Sequence, residues 1–303
     1  MATQPFMPGK RFVIGVPFVW LFVFFLLPFL ILLYISFVDM GESINPFKPI
    51  WDSQTGLLSL KYENYWTIFR DEGGVLFKTI YIEAYLRSIW YALWTAVLCL
   101  VFGYPFAYFI ARSPASVRPA LLMMVMLPFW TSFLLRVYAW KGILADQGVL
   151  NQLLMAVGIT SEPILMLYTN VSMLVGMTYV YLPFMVLPLY ATLVKMDFRL
   201  LEAAYDLGTT PFKAFWLITV PLSKAGIVAG FMLVFIPSVG EFVIPSLLGG
   251  PENIMIGRVV WDEMFTSNNW PRATALAVVM IALIVVPLAI YYHYTGEAAE
   301  PRK

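Results

Sequence analysis

FVIGVPFVWLFVFFLLPFLILLYISFV, residues 12–38, runs for 27 residues without a charge. A helix needs about 20 apolar residues to cross the hydrocarbon core of a bilayer, so this run is long enough to span. Lys10 and Arg11 precede it, as they would precede a secretory signal. It exceeds the roughly 15-residue limit of a signal's apolar core and lacks a small-residue cleavage site, so it reads as a retained first span. The rest of the chain agrees with that reading. Of its 303 residues, 61% are hydrophobic and 12% charged, and the mean hydropathy is +0.79. A soluble domain is about half apolar and about a quarter charged. The composition therefore excludes a soluble enzyme, a disordered chain and a nucleic-acid binder, and the net charge of +1 argues against a polyanionic partner. Cys99 and His293 are the lone cysteine and histidine, which leaves no disulfide framework and no His or Cys metal cluster.

Working outward, further apolar runs place spans at about 88–111, 120–140, 163–194, 225–248 and 273–296. The expectation is an all-α polytopic protein, one transmembrane domain over 1–303 with six spans. Ten of the 19 Lys/Arg but only five of the 18 Asp/Glu fall in 1–11, 112–118, 194–224 and 295–303. Positive charge marks the cytoplasmic side, so both termini are expected in the cytoplasm. The long stretch Asp39–Arg87 and the loop Pro251–Arg272 then lie outside.

The largest inside loop, 195–224, reads as two short helices with a sharp break. Asp197 can cap a first helix over Phe198–Leu207, and Gly208 suits the left-handed residue that ends it. Thr210 caps a second helix with Pro211 in its first position, predicted over Pro211–Thr219 and stopping before Pro221. Leu200, Ala203, Ala204 and Leu207 form an apolar stripe at helical spacing, with Arg199, Glu202 and Asp206 elsewhere. Such a helix, lying along the membrane surface, is suited to docking on another protein.

Glu202-Ala203-Ala204, Gly208 and Ile218-Thr219-Val220-Pro221 at this spacing resemble the EAA loop of permease subunits in binding-protein-dependent ABC importers, with Val220 where that family has Leu. Leu127–Trp140 and Val239–Pro245 followed by Leu247–Pro251 resemble the polyamine branch of the same family, most closely the larger permease subunit of putrescine importers. The likeness covers roughly Gly103–Pro287. It implies a type I importer permease in the bacterial inner membrane, a second homologous permease subunit, two ATPase subunits and a periplasmic polyamine-binding protein. It also implies that Glu202, Ala203, Ala204 and Gly208 couple to the ATPase. ATP and Mg are then bound by that partner. This chain contains no Gly-x-x-x-x-Gly-Lys-Ser/Thr phosphate cradle, since its one Gly-Lys pair is Gly9-Lys10 followed by Arg11. No cofactor of its own is expected, and no covalent chemistry.

A path for a polyamine calls for carboxylates and aromatic faces, because ammonium groups are drawn to both. Glu241, in the fifth span, is the first candidate: an intramembrane carboxylate faces a partner or a wet cavity. A structural ion pair, with Arg136 or with a residue of the sister subunit, is the other reading of Glu241. Trp130, Tyr179 and Tyr181 are the aromatic candidates, while Tyr138 and Trp140 fit an interfacial belt. Arg136 calls for a carboxylate partner. The expected function is import of a polyamine, putrescine or spermidine, from periplasm to cytoplasm. The rival from another class is an ion-driven secondary transporter of a small cationic solute, which would share the intramembrane charge and broken helices.

Overall fold

The computed structural model describes residues 8–41, 45–51, 60–70, 76 and 79–296. Along the chain, α1 (Pro8–Leu21) passes through a π-turn at Phe22–Leu26 into α2 (Leu27–Ser36), and α3 (Glu63–Phe69) follows. The chain then forms α4 (Ile80–Arg112), α5 (Arg118–Met126), α6 (Phe133–Leu144), α7 (Val149–Ala156) and α8 (Asn170–Leu193). The predicted cytoplasmic loop holds α9 (Arg199–Asp206), α10 (Pro211–Ala214) and α11 (Val220–Leu222). Last come α12 (Lys224–Val239), α13 (Val243–Leu248), α14 (Ile256–Trp261) and α15 (Trp270–Gly296).

Three of the predicted spans are continuous helices long and apolar enough to cross a membrane: Phe12–Ser36, Ile80–Arg112 and Asn170–Leu193. Two are broken. In the third, Arg118–Trp130 meets Phe133–Ala156 at 88°; the fifth is interrupted between Val239 and Val243, and the loop arm Pro211–Leu222 meets its first helix, Lys224–Val239, at 69°. The sixth falls on α15, Trp270–Gly296. Pro128 predicts a kink in the third span, 120–140, and the span does break there. It breaks because Pro128 lies in a 3-10 turn, Leu127–Trp130. Thr131 closes that turn, its hydroxyl donating to the Pro128 carbonyl at 2.7 Å, and the backbone there goes extended. The fourth span begins at Asn170 rather than Pro163. A reciprocal capping box sets that start: Thr169 Oγ1 accepts from the Ser172 amide at 3.2 Å, and Ser172 Oγ from the Thr169 amide at 3.1 Å.

Prolines have two different outcomes. Pro105 stays inside α4, and Pro183 and Pro188 inside α8. Pro28 and Pro221 each follow a π-turn, where the residue just before the proline donates to the carbonyl five residues back, Leu27 to Phe22 and Val220 to Phe215. The wider turn relieves the clash between the ring and the preceding backbone. The helix expected to stop at Thr219 therefore continues to Leu222.

The chain forms two compact units. One comprises Met1–Ile82 and Val259–Lys303, and in it α2 and α3 pack on α15. Asn64 ties α3 to the end of α2 through Nδ2 donations to the Ser36 and Val38 carbonyls at 3.0 and 2.9 Å. The other unit is Glu83–Arg258. Its core surrounds α8, where Met173, Met177, Met185, Leu189 and Leu193 are fully buried. Packing of α12 along α8 and the burial of Cys99 and Ala107 on α4 complete that core.

Candidate functional site

The 195–224 loop is an elbow held by its own backbone. Asp197 Oδ1 accepts from the Arg199 amide at 3.1 Å at the start of α9. At the other end Gly208 has φ +81°, its amide donates to the Tyr205 carbonyl at 2.9 Å, and the Thr209 amide donates to the Ala204 carbonyl at 2.9 Å. Those two bonds around a left-handed glycine are a complete Schellman stop. Thr210 then accepts from the Lys213 amide at 3.4 Å, opening α10 behind Pro211.

The elbow has a small core of its own: Leu201, Ala204 and Ala214, with Met196, Phe198 and Ile218 against them. This divides the predicted apolar stripe. Ala204 faces inward, and Leu201, which the stripe omitted, is buried beside it. Ala203, Leu200 and Leu207 are exposed, Leu207 at 87%, as are Phe212 and Leu217 on the next arm. Glu202 is also exposed and makes no ion pair among the described residues. Gly208 lies at the corner with nothing within 4 Å of where a Cβ would stand.

The fifth span was expected as one helix over 225–248 with Glu241 inside. In the structure α12 ends at Val239, residues 240–242 leave the helix, and α13 begins at Val243. Glu241 itself explains the stability of the break. Its Oε1 accepts from the Val243 and Ile244 amides at 3.0 and 3.4 Å, capping α13 with negative charge at its positive end. Its Oε2 accepts from the Tyr181 hydroxyl at 2.6 Å. Glu241 is 9% exposed and both carboxylate oxygens are engaged. At the far end of α13, Ser172 Oγ donates to the Leu248 carbonyl at 2.7 Å. Between these two bonds Gly176 of α8 allows close approach, since a Cβ there would stand 2.4 Å from a Leu248 methyl.

Of the four predicted pathway residues, the structure joins Tyr181 to Glu241. Tyr179 points elsewhere and packs edge-on against Trp140, ring centroids 5.5 Å apart. Trp130 is 81% exposed on the 3-10 turn. No hydrogen bond or ring contact among the described residues links either of them to Glu241. Arg136 does not pair with Glu241; it lies over Phe129, 5.1 Å from the ring centroid. Ser172 was missed in the sequence, because the Leu248 carbonyl it serves is 76 residues away. His293 lies on the α15 backbone, but its side chain is outside the described residues.

Two solved structures share this arrangement of helices. A chain of a bacterial ABC transporter involved in the import of the acidic polysaccharide alginate superposes with a TM-score of 0.62 at 17% identity, covering 96% of this chain and 98% of that one. A second alginate transporter structure, in complex with an alginate pentasaccharide-bound periplasmic protein, gives 0.63 at 18%, covering 97% and 96%. At those identities the likeness speaks for the fold. The chain belongs to the family of binding-protein-dependent transport system inner membrane components, whose model matches residues 103–296. It is thus a membrane transport permease and not an enzyme. Among its relatives, the spermidine/putrescine transport system permease protein PotB of Haemophilus influenzae is 36% identical over 283 residues, 93% of each chain. PotB of Escherichia coli is 39% identical over 217 residues, 72% of this chain and 79% of that one. The inner membrane ABC transporter permease protein YdcU of Escherichia coli is 32% identical over 228 residues, 71% of this chain and 72% of that one.

Proposed function

We propose that this chain is one of two unlike permease subunits of a polyamine importer, carrying putrescine or spermidine from periplasm to cytoplasm with both termini cytoplasmic. A periplasmic polyamine-binding protein delivers the cargo, and two copies of a separate ATPase hold ATP and Mg. The polyamine reading is supported by a relative matched over 93% of both chains and named for spermidine and putrescine together. Family membership sets aside a secondary transporter working by itself.

The observation that carries the mechanism is the elbow. Its outer face offers Leu200, Ala203, Leu207 and the unpaired Glu202, while Leu201 and Ala204 lock it from within. A rigid corner that presents a small apolar patch and one charge can transmit a push from an ATPase to α8 and α12, between which it is strung. Closure of the nucleotide-bound ATPases favours one arrangement of the spans through their different affinity for the two states.

Glu241 is the pathway carboxylate in this proposal. In the state described it is satisfied by a neutral hydroxyl and two amides. The Tyr181 hydroxyl and an ammonium each make a charge-assisted bond to this carboxylate, worth about 1.5–3 kcal/mol, and the ammonium adds the attraction of opposite charges. A passing amine can therefore displace the Tyr181 hydroxyl without being held too tightly to leave. Trp130 and Tyr179 supply aromatic faces at other points of the route.

The test is ATPase activity of the reconstituted complex with binding protein, comparing putrescine, spermidine and sulfate. Stimulation by a polyamine and not by sulfate is expected. A complex that assembles and responds to neither polyamine would sink the substrate assignment.

A further inference from the structure

Arg136 stands in the first turn of α6, and its charge is unanswered. Its Nε and Nη1 are buried and have no hydrogen-bond partner among the described residues. Its guanidinium lies over Phe129 and Phe133, at 5.1 and 5.9 Å from their centroids. Ring faces return only a fraction of what it costs to bury a charge that lacks a hydrogen-bonded counter-charge. The acid that could have met it within the chain, Glu241, is occupied by Tyr181 and the α13 amides.

A second observation points to the same missing group. Ser132 precedes α6 and makes no side-chain cap. The positive end of a 12-residue helix therefore lies beside a cation with no anion between them. Both face an open cavity of about 320 Å³ lined by Thr131, Leu135, Trp140 and Tyr179 as well as Arg136 itself. The rest of the lining is largely aliphatic, with Ala139 and Ile143 one and two turns along the same face from Leu135, which is exposed.

We propose that Arg136 and the uncapped first turn of α6 receive a carboxylate carried by a transmembrane helix of the second permease subunit. This rests on the reading that the chain works paired with such a subunit. One guanidinium charge calls for one carboxylate, with which it makes a charge-assisted hydrogen bond. The apolar lining fits a helix face, and it holds no second Lys or Arg of the kind that gathers lipid phosphates.

The test uses the full complex. This chain is co-expressed with the second permease and the ATPase, the second permease carries the affinity tag, and the membrane abundance of this chain is measured in parallel. Per unit of this chain in the membrane, recovery is expected to fall about ten-fold for Arg136→Glu, less for Arg136→Gln, and least for Arg136→Lys. One acidic-to-Lys substitution within the spans of the second permease should restore recovery of Arg136→Glu. Recovery of Arg136→Glu at the wild-type level overturns the proposal. So does rescue that maps only inside this chain, or loss that is reproduced in wild type by stripping anionic lipid. Failure of the wild-type chain to recover any second permease overturns the pairing itself, and this proposal with it.

Discussion

Replacing Gly208 by alanine isolates the backbone of the elbow from everything around it. A Cβ at 208 would meet nothing within 4 Å, so the substitution adds no clash. What it adds is the cost of holding an L-residue at φ +81°, about 1–2 kcal/mol. That cost falls on the Schellman stop, whose two bonds join Gly208 to Tyr205 and Thr209 to Ala204. Since 1–2 kcal/mol is a factor of about 5–30 in a two-state ratio, the aligned elbow should be depleted by that factor relative to alternatives that unwind the corner. Valine, with a branched Cβ, should exceed alanine, while asparagine tolerates the left-handed region and should stay near wild type. The assay is ATP hydrolysis by the reconstituted complex, with and without loaded binding protein. Stimulation should fall in the order Gly, Asn, Ala, Val, while the amount of assembled complex changes little. Full stimulation with Gly208→Val would refute the argument, because no steric excuse exists at an open corner.

The adjacent alanines should fail in opposite ways. Ala203→Leu, on the exposed face, should leave the stability of the chain within about 0.5 kcal/mol of wild type yet reduce ATPase co-purification; Ala204→Leu overfills the elbow core and should cost about 1–3 kcal/mol of stability. Tyr181→Phe leaves one Glu241 oxygen unpartnered and should destabilise the chain in detergent by about 1–3 kcal/mol. Adding back the neutral variant Glu241→Gln should recover part of that stability but not transport, and transport that survives Glu241→Gln unchanged would remove Glu241 from the pathway. Ser172→Ala breaks both the α8 capping box and the bond to the Leu248 carbonyl, and should lower thermal stability by about 1–2 kcal/mol.

The elbow was legible because its determinants are local. A capping aspartate, a glycine stop and a Thr-Pro start lie within 15 residues of one another, from Asp197 to Pro211, and each acts on its own neighbours. Even there, which of Leu200 and Leu201 turns inward depends on Ala214 on the other arm. Hydropathy located the spans, since length and charge depend only on the segment itself. It could not locate the breaks. Pro105 sits inside an unbroken 33-residue helix while Pro128 ends one, and the difference lies in what surrounds each ring. The break at Gly240–Phe242 is still less visible: Glu241 looked like a charge in a helix because the hydroxyl that holds it is 60 residues away. Tyr181 was picked for its aromatic face, whereas the structure uses its hydroxyl. Ser172 carried no signal, as the carbonyl it serves is 76 residues distant.

The six residues of α13 form too short a helix to persist in isolation. It is nonetheless fastened at both ends to one neighbour: its head to Tyr181, its tail to Ser172. Those anchors are nine positions apart on α8, about 13 Å at 1.5 Å per residue. A beam pinned at two points cannot roll or slide; it can only be carried. The pinning also fixes direction, so α13 runs antiparallel to α8 and splints its first half, Ser172 to Tyr181, up to the edge of the turn where Pro183 removes a backbone bond. Mechanically, α8 is then stiff where α13 lies along it and compliant beyond, towards Pro188 and the elbow, so bending of this helix is absorbed in its second half.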